Sequence, residues 1–477
     1  MRKIVLILLG VICPFVLFAC GTLNDAQDAY DSGEYKQAIK IIKESEENFK
    51  EDEELNEIYI NSYKKWAEKL VGSGKCAKAI KILDKSDIAS EDIAETYYAI
   101  GEGFVKAKQF SSAGVAYAKA GDYSDAEEKS KLNWDKGARR SSISVSDYIA
   151  LGIKEDGTVL STKNDELIKR ETAKPTKSLY GMGGSVEANS LKNLKTGVKG
   201  WKNMVSVIST DYYCAGLTND GEVKTSDTGY SFSVDDKKGR SLDTLYWSDI
   251  VSISMDFRII AGLDKYGEIH LGGENASQLW KAEEWTNIID IALLENEIIG
   301  IDISGRVHIV SASKNYYGYD NNEIYAEEDF KDKRIKKCSF IDDFGVYITA
   351  DGNLETTVED DFEWGSLEMK KEDFSGFTAD EGEFVQCEAN TINFVGLKND
   401  GTVKVGGDMR DLLEGFGAKK WHDIKEVHIG IGGENPVIIG LTSNGSIKLA
   451  GFEGADYIPF HKRIKAWGKL KKPTFEL

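Results

Sequence analysis

Phe394-Val395-Gly396-Leu397-Lys398-Asn399-Asp400-Gly401-Thr402-Val403-Lys404 is the clearest copy of a pattern written seven times between Ser141 and Phe452. Its turn glycine, Gly401, has counterparts at Gly157, Gly221, Gly267, Gly305, Gly352 and Gly445, a mean spacing of about 48 residues. Two residues after each glycine the position is always apolar: Val159, Val223, Ile269, Val307, Leu354, Val403 and Ile447. Four residues before, it is apolar again, from Ile153 through Leu263 to Leu441, and five before stands a second glycine in every copy but one, which has Tyr347. An Asp-Gly or Asn-Gly pair supplies the positive φ angles of a two-residue hairpin turn. Each copy is therefore expected to hold two antiparallel strands across the turn, with a third opening the copy, such as Ile250 to Ser254. Three short strands cannot bury both faces of their sheet alone, so the copies are expected to stack radially and cover one another.

The rest of the composition agrees with a folded, turn-rich chain. With 477 residues there is length for two or three domains. Forty-seven glycines against 5 prolines suit β structure rich in turns. Sixty basic and 80 acidic residues give a formal charge of −20, which argues against a nucleic-acid partner, because phosphate binding needs basic patches that release counterions. Anionic lipid surfaces would repel such a body too, so a membrane contact requires a separate device.

Residues 1–19 supply one. Met1-Arg2-Lys3 is a basic start, Ile4 to Phe18 an apolar run of about 15 residues, too short to span a bilayer. The run ends in Leu17-Phe18-Ala19-Cys20, which resembles a bacterial lipobox. That resemblance implies a signal peptide over 1–19, lipidation of Cys20, membrane attachment through the lipid alone, and an extracytoplasmic, cell-envelope address on the cell membrane or an outer membrane. An ordinary signal peptide cut nearby is the alternative.

Residues 20–137 change character: Ala, Lys, Glu and Tyr dominate and the apolar spacing becomes helical, as in Tyr35, Ala38, Ile39 and Ile42. Gly33-Glu34-Tyr35 with Ala38 recurs as Gly74-Lys75-Cys76 with Ala79, Lys108-Gln109-Phe110 with Ala113 and Gly121-Asp122-Tyr123 with Ala126. The glycine allows a left-handed turn between helices and the alanine a close crossing. The spacing resembles tetratricopeptide-type (TPR) helical hairpins; an unrelated helical bundle is the alternative.

In the region 141–477, Trp201, Trp247 and Trp285 each precede their next turn glycine by 20 residues, and Trp421 is offset by a few. The sequence Trp-x-x-Ile/Val, a strand, then Gly-Leu-x-x-Asp-Gly-x-Val resembles the repeat of the chromosome-condensation-regulator (RCC1) family. It implies a seven-bladed β-propeller over about two thirds of the chain. Ser304 in place of Asp and Tyr347 in place of Gly depart from the pattern. Trp467 looks like the start of an eighth copy that stops, and Ala455 to Leu477 is expected to add a strand closing the ring on the first blade. The fold class is thus α plus all-β, helical hairpins and then a propeller. The Asp-box of sialidase-like propellers also carries Asp-x-Gly but wants an aromatic soon after the glycine, where this chain has Val or Ile.

Chemistry is thinly marked. No zinc, thiol-pair, phosphate-loop or dinucleotide motif appears, and no catalytic residue, metal ligand or cofactor is assigned. His270 and His308 share a strand position with Lys224, Lys404 and Lys448, the mark of a half-exposed face. Asp320-Asn321-Asn322-Glu323 lacks the ligand spacing of a calcium loop and reads as a solvated turn. Cys338 and Cys387 take the place Ile253 has in its own copy, so they read as core residues and not as a disulfide. The segments between copies hold the candidate contact residues: Tyr316, Tyr317, Tyr319 and Tyr325, with Trp280 and Trp364, against which stands plain outer-edge packing. The expected role is a non-catalytic scaffold for a protein partner in the envelope, with a carbohydrate-binding or wall-polysaccharide-processing propeller at the cell surface as the alternative and the oligomeric state open.

Overall fold

In the computed structural model, residues 21–45, 48–173, 189–229, 242–256, 258–273, 276–294, 297–313, 325–341, 344–358, 362–364, 367–369, 377, 382–390, 393–407, 417–430, 437–451 and 457–472 are described. The chain divides into two compact units, Met1–Asn133 and Trp134–Leu477. Cys20 lies outside the described residues, and among those described no helix is long and apolar enough to cross a membrane.

The first unit is helical: α1 (21–31), α2 (Tyr35–Glu44), α3 (Glu53–Gly72), α4 (Cys76–Leu83), α5 (Ser90–Lys106), α6 (Phe110–Lys119) and α7 (Ala126–Gly137), which carries the division between the units. The apolar stripes become its core: Ala38, Ile39 and Ile42 on α2, and Ala79, Ile80 and Leu83 on α4, are buried. The hairpin turns share one geometry. Gly33, Gly74 and Gly121 have φ of 73°, 73° and 57°, and Lys108 stands in the same left-handed conformation at 56°. In the turn after α3 the Gly74 N–H donates to Val71 and the Lys75 N–H to Leu70, which satisfies two helix-end carbonyls. Close crossing is enforced at Gly101, where a Cβ would lie 2.7 Å from the Tyr117 ring.

The second unit is built from seven three-stranded antiparallel sheets. Blade 1 holds β1 (Ile143–Val145), β2 (Ile149–Ile153) and β3 (Val159–Lys163), after which comes α8 (Asp165–Ala173). Blade 2 holds β4 (Met204–Ser209), β5 (Tyr213–Thr218) and β6 (Val223–Asp227); blade 3 holds β7 (Ile250–Asp256), β8 (Ile259–Asp264) and β9 (Ile269–Gly273). Blade 4 holds β10 (Ile288–Leu293), β11 (Glu297–Asp302) and β12 (Val307–Ser311); blade 5 holds β13 (Ile335–Ile341), β14 (Phe344–Thr349) and β15 (Leu354–Thr356). A small pair, β16 (Phe362–Trp364) and β17 (Leu367–Met369), precedes blade 6, which holds β18 (Phe384–Asn390), β19 (Asn393–Lys398) and β20 (Val403–Gly407). Blade 7 holds β21 (Ile424–Ile429), β22 (Val437–Thr442) and β23 (Ile447–Gly451), and α9 (Ile458–Lys465) follows. The first strand of each blade touches that of the next, and β21 touches β1, so the ring is closed. The architecture is the expected one: helical hairpins, then a seven-bladed, RCC1-like propeller.

The repeated residues explain the stacking. The middle strands are buried along their whole length, which is why the Gly-Leu pair sits there. A Cβ on Gly216, Gly262, Gly300 or Gly440 would stand 2.7–3.0 Å from Trp201, Trp247, Trp285 or Trp421, so each tryptophan lies flat on its own blade only because the facing residue has no side chain. Blade 5 inverts the arrangement, with Tyr347 in the glycine's place and Phe330 packed edge-on against it at 5.8 Å. The turn glycines, φ 75–83°, each accept at their carbonyl an N–H from the blade that follows, at 2.9–3.2 Å. Ser304 does not disturb its turn, because Asp302 Oδ1 accepts from the N–H groups of Ser304 and Arg306.

Ring closure differs from the expected added strand. Residues 458–465 are helical, Phe460 and Ile464 enter the core shared by blades 1 and 7, and Arg463 donates to Glu166 of α8 at 2.8 Å. Among the described residues of this tail, strand pairing is limited to an isolated bridge, Ser446 with Lys469. Trp467 then packs on Gly152, where a Cβ would lie 2.8 Å from its ring, and the Leu470 N–H donates to the Gly445 carbonyl at 2.9 Å. The first is the contact that opens blades 2, 3, 4 and 7, and the second has a counterpart in every other blade. Trp467–Leu470 is therefore not an eighth copy but the missing head of the first.

Candidate functional site

The innermost strand of each blade pairs on one side only, so its other edge presents unpartnered N–H groups toward the ring axis, a costly arrangement if left unsatisfied. A bulge near the start of each of the six complete inner strands shifts the register, between Met204 and Ser206, for example, and between Ile288 and Asp290. One polar residue then occupies the same place in all seven blades: Ser142, Ser206, Ser252, Asp290, Lys337, Gln386 and Glu426. Several staple the next blade. Asp290 Oδ2 accepts the Cys338 N–H at 3.2 Å, Gln386 Oε1 the Val427 N–H at 3.0 Å, and Glu426 Oε1 the Ser142 N–H at 2.5 Å. Two residues on, a second tier repeats the device: Ser144 accepts from Ser209, Ser254 from Leu293, Ser339 from Ala389 and Glu388 from Ile429.

The segment from Trp134 to Ser142 is part of this ring. The Trp134 Nε1–H donates to the Lys265 carbonyl at 3.0 Å, and Lys337 Nζ donates to the Gly137 carbonyl. Arg139 Nη2 meets Asp290 Oδ2 at 2.9 Å while its own carbonyl accepts from Ser252 Oγ. Arg140 donates to the Val251 carbonyl and pairs with Asp135 at 2.5 Å. The segment thus enters the mouth where the inner strands begin. Two cavities, of about 100 and 130 Å³, flank it, and Arg139 lines both.

Deeper in, His428 Nδ1 lies 2.7 Å from Glu388 and Nε2 2.6 Å from Glu426. Burial works against its charge, but Glu388 and then Glu426 overcome this and push its pKa up to about 10. A ring with both nitrogens held by carboxylates is a fixed cation at neutral pH and has no free nitrogen to act as a base. At the opposite mouth, burial followed by the nearby Asp147 carboxylate raises Asp211 to about 7. The His270 and His308 rings, on the half-exposed face expected for them, hydrogen-bond Asp264 and Asp302 at 3.1 and 3.3 Å. The Asp264 bond comes first among the causes raising the pKa of His270.

Comparison with known proteins gives a fold likeness only. No family model matches the sequence, and no curated protein does. Among solved structures the chain is similar to Prp20p from Saccharomyces cerevisiae, with 13% identity over 68% of this chain and 85% of that one at a TM-score of 0.36. It is also similar to BamB from Moraxella catarrhalis, with 12% identity over 66% and 83% of the two chains at 0.30, and to YCF48 from Cyanidioschyzon merolae, with 11% identity over 66% and 96% at 0.31.

The aromatic candidates fall apart as a group. Tyr316, Tyr317 and Tyr319 lie outside the described residues, as does the side chain of Trp364, whose backbone is in β16. Tyr325 is a core residue, 6% exposed and packed edge-on to Phe340 at 4.9 Å, so its ring is not available to a partner. Trp280 is 52% exposed. Sequence reading missed other exposed apolar side chains of this region: Leu245 and Tyr246 are 84% and 91% exposed, and Tyr266 is 39% exposed. All four belong to blade 3 or its connections. The Leu242 carbonyl abuts Gly272 of β9 and Glu283 accepts the Leu271 N–H, so the segments carrying Leu245–Tyr246 and Trp280 both flank that outermost strand. The available signal was two large apolar residues immediately before Trp247, a tryptophan already assigned to packing. The four described cysteines, Cys76, Cys214, Cys338 and Cys387, are buried thiols, and Cys338 and Cys387 pair with Tyr347 and Gly396 as Ile253 pairs with Gly262.

Proposed function

We propose that this chain is a lipid-anchored protein of the cell envelope whose propeller acts as a non-catalytic scaffold for a protein partner. The anchor rests on the sequence Leu17-Phe18-Ala19-Cys20. The observation that carries the scaffold reading is the exposed apolar set around β9, Leu245, Tyr246 and Trp280, with Tyr266 at the turn of the same blade. Large exposed apolar groups gathered on one element mark an interaction surface, whereas scattered ones need no explanation. The channel, where an enzyme of this architecture would place its reacting groups, is occupied by the protein's own Trp134–Ser142 segment and by side chains that staple the blades. A formal charge of −20 favours a partner with a basic rim around an apolar centre.

The test is a comparison of the full chain with the triple variant Leu245→Ser, Tyr246→Ser, Trp280→Ser, each immobilised and exposed to envelope extract. A protein retained near stoichiometrically by the first and lost by the second, with an unchanged melting temperature, is the expected result. Equal retention by both removes the surface from the proposal. Retention of wall glycan in place of protein would move the reading to carbohydrate binding, since exposed Tyr and Trp rings also stack on sugars.

A further inference from the structure

Electrostatic balance at the linker-side mouth of the ring is unlike that of the rest of the protein. The cavity of about 100 Å³ there has six cationic side chains in its wall and two carboxylates, Asp135 and Glu426. Both carboxylates are engaged: Asp135 holds Arg140, and Glu426 holds His428 and Ser142. Arg139 is held by Asp290. Of the remaining cations, Lys472 is exposed and 3.7 Å from Glu155. Lys337, Lys425 and Lys471 are half-buried and reach no carboxylate within ion-pair distance among the described residues. The first and third donate only to backbone carbonyls, those of Gly137 and Met204. Burial lowers the pKa of Lys337 against the pull of Asp290, with Arg139 adding to it, and burial and Arg140 lower that of Lys471 against Asp135. Like charges gathered in a recess with low-dielectric walls focus the field and raise the local concentration of counter-ions. A water needs roughly 10–15 Å³ of such space, so the cavity has room for several waters or for one tetrahedral oxyanion.

We propose that the cavity ringed by Lys337, Lys425 and Lys471 is a binding site for a compact, multiply charged oxyanion of the phosphate type. Three lysines and Asn219 in the wall of one recess suit an anion with several acceptor oxygens, and lysine serves as a point charge where no planar, bidentate partner is needed. The site is independent of the apolar surface on blade 3.

Thermal melts of the full chain with inorganic phosphate or pyrophosphate, against chloride at matched ionic strength, test this. The melting temperature is expected to rise saturably with either oxyanion. Lys337→Met and Lys471→Met are each expected to raise the half-saturating concentration by about ten-fold or more. In oxyanion-free buffer each variant loses one hydrogen bond, to the Gly137 or the Met204 carbonyl, so its melt is compared with and without oxyanion rather than with the parent's. Vesicles of phosphatidylcholine with and without phosphatidylglycerol form the second arm. A larger shift with phosphatidylglycerol than with the same total of free phosphate identifies a lipid headgroup as the source, and a smaller one identifies a soluble phosphate. No saturable response, or a response unchanged in both variants, would overturn the proposal.

Discussion

His428 shows how one residue ties the ring to pH. Its pKa, about 10 in the folded ring, is raised from the ordinary 6.5. The charged imidazole therefore contributes stability that is complete below pH 6.5 and is lost as pH rises through 10. In a series of urea titrations, the stability difference between the protein and His428→Gln is expected to shrink with rising pH across that window, by up to about 1.4 kcal/mol per unit. Parallel profiles would show that His428 is neutral in the fold. This site was only half legible. The polar residue at the bulge is polar in every copy, but as three serines, an aspartate, a lysine, a glutamine and a glutamate it looks like ordinary strand alternation. Its role appears only when the neighbouring blade's N–H groups are in view. The turn glycines and their flanking apolar positions, by contrast, were fully readable, because their demand is local: positive φ and a buried side chain.

At the level of the element, the helical hairpins and the blade openings use the same device, a left-handed residue that ends one segment and aims the next. In the blades it is Asn203, Asp249, Asn287 and Asp423, φ 58–63°, each two residues after its tryptophan. Asn and Asp tolerate this conformation better than other residues with a side chain. The pattern Trp-x-Asn/Asp-Ile/Met was visible in the sequence, yet its meaning depends on the preceding blade's turn glycine lying against it, as at Gly157, where a Cβ would be 3.0 Å from the Asn203 backbone. In the hairpins, Lys108 takes the place filled by glycine at Gly33 and Gly74. Lys108→Gly is expected to stabilise the helical unit by about 1 kcal/mol, and Gly74→Ala to destabilise it by a similar amount, in urea unfolding followed by circular dichroism. Destabilisation by Lys108→Gly would mean that Lys108 has a contact worth more than its backbone strain.

For the molecule as a whole, repetition predicts what closes the ring. Trp467→Ala removes the packing on Gly152 and is expected to cost about 3 kcal/mol. Truncation after Lys465 should cost more, because the hydrogen bonds of Leu470 to Gly445 and of Lys471 to Ile153 go with it. A scanning calorimetry trace that does not move for the truncated chain would show that the ring holds without its clasp. The number of blades and their boundaries were legible because seven copies average out local exceptions such as Tyr347 and Ser304. The plugging of the mouth by Arg139 and Arg140 was not, since it joins residues more than a hundred positions apart through side chains that alone suggest a solvated junction.

Blade 1 is composite: its head comes from Trp467–Leu470 and its strands from Ile143–Lys163. Blades 2 to 7 can each be completed as the ribosome delivers them, but the first one made is the last one finished. A nascent chain is therefore an open arc with two raw flanks until some three hundred residues after its first blade strand have been delivered. For that interval the two flanks can be covered only by something other than each other, and a chain cut short of Trp467 would carry them uncovered for good.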